Sequence, residues 1–221
     1  MSSDITSLLA RSGLFRALDA DAISTIAATA RPMELQRNDI VFSEDEPAEH
    51  LYVVRTGRIA IAKQASDGRE SVVALMEAGD LFGEMSLFDG QGRSAGARAL
   101  EPSEILSVPF PPIRTVLQAR PEQLWGVVEL LVQRLRSVDD ALADSVFLDV
   151  TGRTAKRLLE IAGDDDEFVL PLTQEELAGM VGASRERVNK AISAFVRLGW
   201  IDQVDRRYRI TDREQLSRRA T

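Results

Sequence analysis

Between Phe82 and Ala95 the chain reads Phe82-Gly83-Glu84-Met85-Ser86-Leu87-Phe88-Asp89-Gly90-Gln91-Gly92-Arg93-Ser94-Ala95. These residue types at this spacing can hold a sugar-phosphate ring. Gly83 lets the backbone come close to a ligand. The first N–H groups of a short helix, at Met85 and Ser86, attract anions. Arg93 can fork onto a phosphate and Ser94 can add a hydroxyl donor. Ionised Glu84 only accepts hydrogen bonds, so it suits a sugar hydroxyl rather than a phosphate. A glycine-rich loop with a solvated arginine would account for the glycine, glutamate and arginine alone. The full string favours a ligand, because phosphate-type and ribose-type contacts share one short segment.

A second cluster suits the edges of DNA bases. Leu172-Thr173-Gln174-Glu175-Glu176 carries a T-x-x-E capping box, which starts a helix. Val181-Gly182-Ala183 makes a turn, and Ser184 caps a second helix from Arg185 to about Leu198. Two short helices joined by a three-residue glycine turn form a helix-turn-helix, with Leu177, Val181, Val188 and Ile192 between them. In the first turns of the second helix, Arg185 can fork onto guanine, Glu186 can accept from cytosine, and Lys190 can reach a second guanine. Thr173, Gln174, Ser184 and Asn189 complete the candidate DNA face. A solvated, salt-bridged helix is the alternative, and the capped frame disfavours it. Gly199-Trp200-Ile201, Asp205-Arg206-Arg207 and Tyr208-Arg209-Ile210 read as a β-hairpin wing.

Other elements must position these clusters. Residues 4–30 look helical, with Asp4 and Asp19 as N-caps. From about residue 33 the period shortens to β-like runs at 40–42, 51–54, 59–62, 71–75 and 104–108, divided by turn signals that include a hairpin turn at Asp67-Gly68. Strands at this spacing suggest a small sandwich or barrel. Arg120-Pro121 opens a long helix in which Leu124, Val128, Leu131, Leu135, Val138 and Leu142 recur at heptad spacing, flanked by Glu129, Arg134, Arg136, Asp139 and Asp140. Over residues 122–146 it spans roughly 37 Å at ~1.5 Å per residue. The seam favours a parallel homodimer over packing on its own domain. Asp149 caps a helix at about 150–162. The acidic run 163–167 reads as a solvated turn, because it lacks the alternating ligands of a calcium loop.

The Phe82–Ala95 segment resembles the phosphate-binding cassette of the cyclic-AMP receptor protein/FNR family of bacterial transcription regulators, F-G-E-[LM]-[SGA]-L…R-[ST]-A. Leu51-Tyr52-Val53-Val54-Arg55-Thr56-Gly57 resembles that family's strand and turn. Phe147-Leu148-Asp149-Val150-Thr151-Gly152-Arg153 resembles its hinge, and the Gln174–Glu186 frame its recognition helix. The resemblance implies an α+β protein with three parts: a double-stranded β-roll binding a cyclic nucleotide (1–120), a dimerisation helix and hinge (121–148), and a winged helix-turn-helix (149–221). It implies Glu84 on the ribose, Arg93 and Ser94 on the phosphate, Arg134 paired with Glu84, and Val138 and Asp139 at the base. It also implies a TGTGA-like half-site and RNA polymerase as a partner. Two glycines common in such rolls are here Asn38 and Ala48. Val138 cannot hydrogen-bond a base and Asp139 only accepts, so cyclic AMP, cyclic GMP and weak ligand control all stay open. A ligand-independent regulator of the same fold and a ligand-gated protein-interaction module are the other readings.

Composition bounds these readings. The 221 residues contain no cysteine and one histidine, His50, just before a β-like run. That excludes disulfides, thiolate-held clusters and multi-histidine metal sites. No nucleophile–base set for an enzyme appears. With no apolar run of membrane-spanning length, the chain reads as cytoplasmic. Residues 149–221 carry 13 basic and 13 acidic side chains, leaving 14 and 22, a net −8, for residues 1–148. Overall acidity opposes nucleic-acid binding, yet Ser184–Arg209 holds seven basic residues against three acidic ones. That local patch suffices for phosphate contacts.

Overall fold

The computed structural model describes residues 2–64 and 70–221, with side chains from Asp4 onward. The hairpin turn expected at Asp67-Gly68 lies outside the described residues. Two compact units make up the chain, one mainly up to Arg136 and one mainly from Ser137 to Thr221.

In the first unit, the helical stretch expected over 4–30 is two short helices, α1 (Ser2–Leu9) and α2 (Ala20–Ala27), around a 3₁₀ turn at Gly13–Ala17. Gly13 takes φ 43°, which interrupts a continuous helix. Asp19 caps α2 by accepting from the Ala22 N–H at 2.9 Å. Asp4 lies inside α1 and is not a cap. The strands follow: β1 (Arg31–Leu35), β2 (Ile40–Phe42), β3 (His50–Thr56), β4 (Ile59–Gln64), β5 (Glu70–Met76) and β6 (Leu81–Phe82). After the short helix α3 (Met85–Asp89) come β7 (Gly96–Ala99), β8 (Ser103–Pro109) and helix α4 (Phe110–Ala119). The order is β1-β8-β3-β6 in one sheet and β2-β7-β4-β5 in the other.

Strand β3 shows why its sequence is apolar at consecutive positions: both of its faces are buried. Leu51 and Val53, opposite Val108 and Leu106, pack on the helices. Tyr52 and Val54 join Phe42, Phe82, Ala97 and Ile105 in a second core. Three strands of this unit were illegible in the sequence. β1 contains Pro32, tolerated because β1 is an edge strand. β6 has two residues, and β7 is built of glycine, alanine and arginine. His50 is the first residue of β3 rather than its predecessor. Asn38 takes the left-handed φ expected of it, 71°. The second such position is Asp45, φ 64°, so Ala48 carries no left-handed strain.

A 3₁₀ turn at Pro121–Gln123 leads into α5 (Leu124–Phe147). Buried Gly126 sits close to the first 3₁₀ turn, where an added Cβ would be 2.2 Å from the Ala17 Cβ. The six seam residues are all exposed in the protomer, from 41% at Leu124 to 63% at Leu142.

The second unit holds α6 (Val150–Ala162), β9 (Glu167–Val169), α7 (Gln174–Val181), α8 (Arg185–Arg197), β10 (Ile201–Val204), β11 (Arg207–Ile210) and α9 (Arg213–Arg219). Ala155, Leu158, Leu177, Val188, Ile192 and Phe195 are buried here. The wing has a third strand, since β9 pairs with β11 at the end of the acidic turn. No described helix is long and apolar enough to cross a membrane.

Gly57 turns β3 into β4 at φ 83°, and an added Cβ would lie 2.2 Å from Ser103 Oγ and 2.8 Å from the Pro102 carbonyl. Gly57→Ala is expected to cost roughly 2–3 kcal/mol through left-handed strain and overpacking, read by urea unfolding.

Candidate functional site

The cassette begins where β6, paired through Phe82 with Tyr52, ends at Gly83. Gly83 takes φ 76°, and a Cβ there would meet Arg93 Nη1 at 2.8 Å. Glycine is therefore required both by conformation and by the guanidinium beside it. Glu84 stands at the N-cap position of α3 without using its side chain as a cap. Gly90, left-handed at φ 69°, closes α3. The loop back to β7 is held by the Asp45 N–H on the Arg93 carbonyl (2.9 Å) and the Arg93 N–H on the Glu46 carbonyl (3.0 Å).

Arg93 points inward. Only 4% exposed, it donates from Nη1 to the Gly83 carbonyl at 2.7 Å and from Nη2 to the His50 carbonyl at 2.8 Å. Its guanidinium lies 4.1 Å from the Phe42 ring centroid and 5.5 Å from that of Tyr52. Burial pulls its pKa below the usual guanidinium value, with Tyr52, Glu46 and Glu84 opposing. Its Nε is buried without an acceptor. The aromatic floor of Phe42, Tyr52 and Phe82 was absent from the sequence-derived site. A tyrosine inside the aliphatic run Leu51–Val54 was its one signal.

Glu84 is completely buried, and neither carboxylate oxygen receives a hydrogen bond. Oε1 lies 2.9 Å from Arg134 Nη1, an ion pair whose N–H is not aligned for a hydrogen bond. Arg134 also donates from Nη2 to the Leu81 carbonyl at 2.7 Å, which ties α5 to β6. The Glu84–Arg134 pair implied by the family resemblance is therefore present. Burial pushes the Glu84 carboxyl above the usual carboxylate range, and Arg134 pulls it back. Ser86 is buried, its hydroxyl donating to the Gly92 carbonyl at 3.3 Å. Ser94 is exposed, with Oγ 3.4 Å from Met85 Sδ, and Met85 is itself exposed. Val138 and Asp139 are exposed on α5.

The unsatisfied atoms fit a cyclic ribose-phosphate. Glu84 offers two buried acceptors that need a hydroxyl donor, and Arg93 Nε is a buried donor that needs an anionic oxygen. Among the described residues, no group of histidine, aspartate and glutamate side chains could hold a metal ion.

In the second unit, Thr173 and Glu176 form the expected capping box, Gly182 ends α7 in the left-handed region, and Ser184 caps α8 by accepting from the Arg187 N–H. Arg185, Glu186 and Lys190 are exposed, and none is held in an ion pair among the described residues. Asn189 is half-buried. Gln174 turns its amide onto the Tyr208 hydroxyl at 3.1 Å. On the wing, Arg206 is committed to the Leu170 carbonyl through Nε and Nη2.

Comparison with known proteins agrees with this geometry. Residues 32–120 match the cyclic nucleotide-binding domain family, and residues 152–219 match the Crp-like helix-turn-helix domain family. A CRP-like cAMP-activated global transcriptional regulator of Mycobacterium tuberculosis is 38% identical over 220 residues, covering 96% of this chain and 98% of that protein. The cAMP-activated global transcriptional regulator CRP of Pasteurella multocida is 35% identical over 154 residues, 66% of this chain and 74% of that protein. The solved structure of FixK2 from Bradyrhizobium japonicum shares the fold at a TM-score of 0.79 and 23% identity, over 87% of this chain and 98% of that one. With both domain families matched in order and one relative similar along nearly its whole length, the chain belongs to the CRP/FNR family, as a cyclic-nucleotide-binding, DNA-binding transcription regulator rather than an enzyme.

Proposed function

We propose that this regulator works as a homodimer, responds to cyclic AMP, and binds a palindrome of TGTGA-like half-sites. Residues 1–120 take the nucleotide, 121–148 dimerise and carry the hinge, and 149–221 read DNA. The observation that carries the ligand reading is the complementary pair of buried, unsatisfied groups, the Glu84 carboxylate and Arg93 Nε, within ten residues of one another. The cyclic ribose hydroxyl meets the first. The phosphate meets the second, with Ser94 and the N–H groups at Met85 and Ser86 around it. The 38% identical M. tuberculosis relative is named as cAMP-activated, which supports cyclic AMP as the effector.

The exposed apolar face of α5 supports the dimer. Leu131, Leu135, Val138 and Leu142 each leave between 45% and 63% of their surface in solvent, and a second helix at the same seam buries them. Nucleotide binding repacks the two helices and sets the two α8 helices ~34 Å apart, one turn of DNA. Arg185, Glu186 and Lys190, unpaired among the described residues, then reach base edges. Gln174 leaves its site without a cation, which lowers the salt dependence of DNA binding. A second reading rests on Asp139: adenine presents one amino group to an acceptor there, whereas guanine presents N1–H and N2–H₂, so a free carboxylate would favour cyclic GMP.

Calorimetric titration is expected to give heat with cyclic AMP, and Arg93→Gln or Glu84→Gln to weaken binding about 10- to 100-fold. Heat with neither cyclic AMP nor cyclic GMP, confirmed by equilibrium dialysis, removes the cyclic-nucleotide reading. The same titrations on Asp139→Ser decide between the two bases.

The raised pKa of Glu84 has a stability consequence in the ligand-free protein. Its contribution is fully present below the unfolded carboxyl pKa of ~4.3 and is lost as pH rises through the higher folded value. Glu84→Gln therefore gains stability relative to wild type as pH is raised from about 4 to 7, measured by urea unfolding, even as it loses nucleotide affinity.

On a duplex with TGTGA and TCACA half-sites, a gel shift is expected with cyclic AMP and little without it. Arg185→Ala should cost roughly 1–3 kcal/mol and relax the preference for guanine at one position per half-site. A ligand-saturated protein that shifts this duplex no better than a scrambled one counts against the half-site assignment.

A further inference from the structure

The seam fixes a register for the residues beside it. With Leu124, Leu131 and Val138 at d and Val128, Leu135 and Leu142 at a, the e positions are Trp125, Val132, Asp139 and Val146, and the g positions are Val127, Arg134 and Ala141. In a parallel pair, each g residue lies beside the e residue of the next heptad on the other helix. Along α5 this sets Val127 beside Val132, Arg134 beside Asp139, and Ala141 beside Val146. One of these pairs is ionic, and its charges are opposite.

The two residues of that pair have complementary vacancies in the protomer. Arg134 spends Nη1 on Glu84 and Nη2 on the Leu81 carbonyl, yet its side chain remains 35% exposed. Asp139 is exposed and has no ion pair among the described residues. The cation that helix geometry brings closest to it is Arg136, three residues earlier at a b position, away from the seam. Among the described residues these two are unpaired as well.

We propose that Asp139 of the partner subunit pairs with the exposed side of Arg134 and is a positioning residue for the nucleotide site. This rests on the homodimer reading. Each pocket is then completed from the other chain: one guanidinium lies between Glu84 of its own cassette and a carboxylate across the seam. The pair also commits the Asp139 oxygens, so they are not free for guanine N1–H and N2–H₂. Coupling is reciprocal. A nucleotide hydroxyl that satisfies Glu84 frees Arg134 for the partner's Asp139, and tighter helix pairing draws Arg134 towards the seam.

The test is a double-mutant cycle on full-length protein, with the dimer dissociation constant from sedimentation and cyclic AMP affinity from calorimetry. Asp139→Asn is expected to weaken the dimer about fivefold at low salt, from two symmetry-related pairs, and less at high salt. Asp139→Lys, at an exposed position that folding does not require, weakens it further. Each effect should vanish in an Arg134→Gln background and persist in Arg136→Gln. At concentrations where every variant is dimeric, Asp139→Asn should still change cyclic AMP affinity, which a purely structural surface charge would not do. If Arg134→Gln does not fold, the Asp139 variants in the Arg136→Gln background carry the test. A dimer whose affinity is unchanged in Asp139→Lys, or effects that are additive with Arg134→Gln or abolished by Arg136→Gln, overturns the proposal and leaves the dimer standing. A monomeric wild-type protein, seen in the same sedimentation runs, overturns both.

Discussion

A carboxylate with no hydrogen bond to either oxygen sits inside a β-roll, and the nucleotide-binding end of the protein is organised around it. Removing such an ion from water costs several kcal/mol after relaxation. Arg134 offsets part of that cost by charge alone, since its N–H is not aligned to Glu84 at 2.9 Å. Glu84 thus remains a strong acceptor awaiting a donor, and burial raises its pKa for the same reason. Because the compensating cation belongs to α5, the ionic state of the pocket and the position of the long helix are one problem rather than two.

Arg93 answers a second demand of that same site. A guanidinium set over Phe42 and Tyr52 needs acceptors on all sides, and the structure supplies two carbonyls, from Gly83 and His50. The first depends on backbone that a side chain would disturb, since a Cβ on Gly83 would lie 2.8 Å from Arg93 Nη1. The orphaned Nε marks the direction in which the inventory is incomplete. A preorganised cation of this kind binds an anion without first paying the side-chain entropy that a solvated arginine would lose.

What could be read from the sequence divides along this line of local and distant. The cassette was legible because Gly83, Glu84, Arg93 and Ser94 lie within a dozen residues. The inward turn of Arg93 was not, because His50 and Phe42 arrive from strands more than forty residues earlier. The caps Asp19, Asp149, Thr173 and Ser184 were legible, each being a side chain that bonds an N–H three residues on. Asp4 shows the limit, as a good capping residue placed in the first turn of a helix that began before it. Strands β1, β6 and β7 escaped because proline, brevity and small residues erase the alternation by which strands are recognised. A small sandwich or barrel was nonetheless legible as a class, since β2, β3, β4, β5 and β8 carry short apolar runs divided by turn signals, while the double-stranded roll came from the family resemblance.

At the other end of α5, the same logic of satisfied backbone holds. Helices α5 and α7 both end on carbonyls that lack partners within the helix. Arg153 meets one from each, donating from Nη1 to Leu148 at 2.6 Å and from Nε to Val181 at 2.8 Å. Lys156 pairs with Asp144 in the last turns of α5 at 2.6 Å, and Arg219 of α9 pairs with Asp149, the residue that caps α6. Gly152 gives α9 room to pass close, since a Cβ would lie 3.0 Å from the Arg219 carbonyl. Three cations from α6 and α9 therefore hold the last turns of α5, the segment between α5 and α6 and the end of the first helix of the helix-turn-helix. Charge-assisted bonds of this kind are shorter and stronger than neutral ones. One side chain of α6 thus joins the carbonyl just past α5 to the last carbonyl of α7.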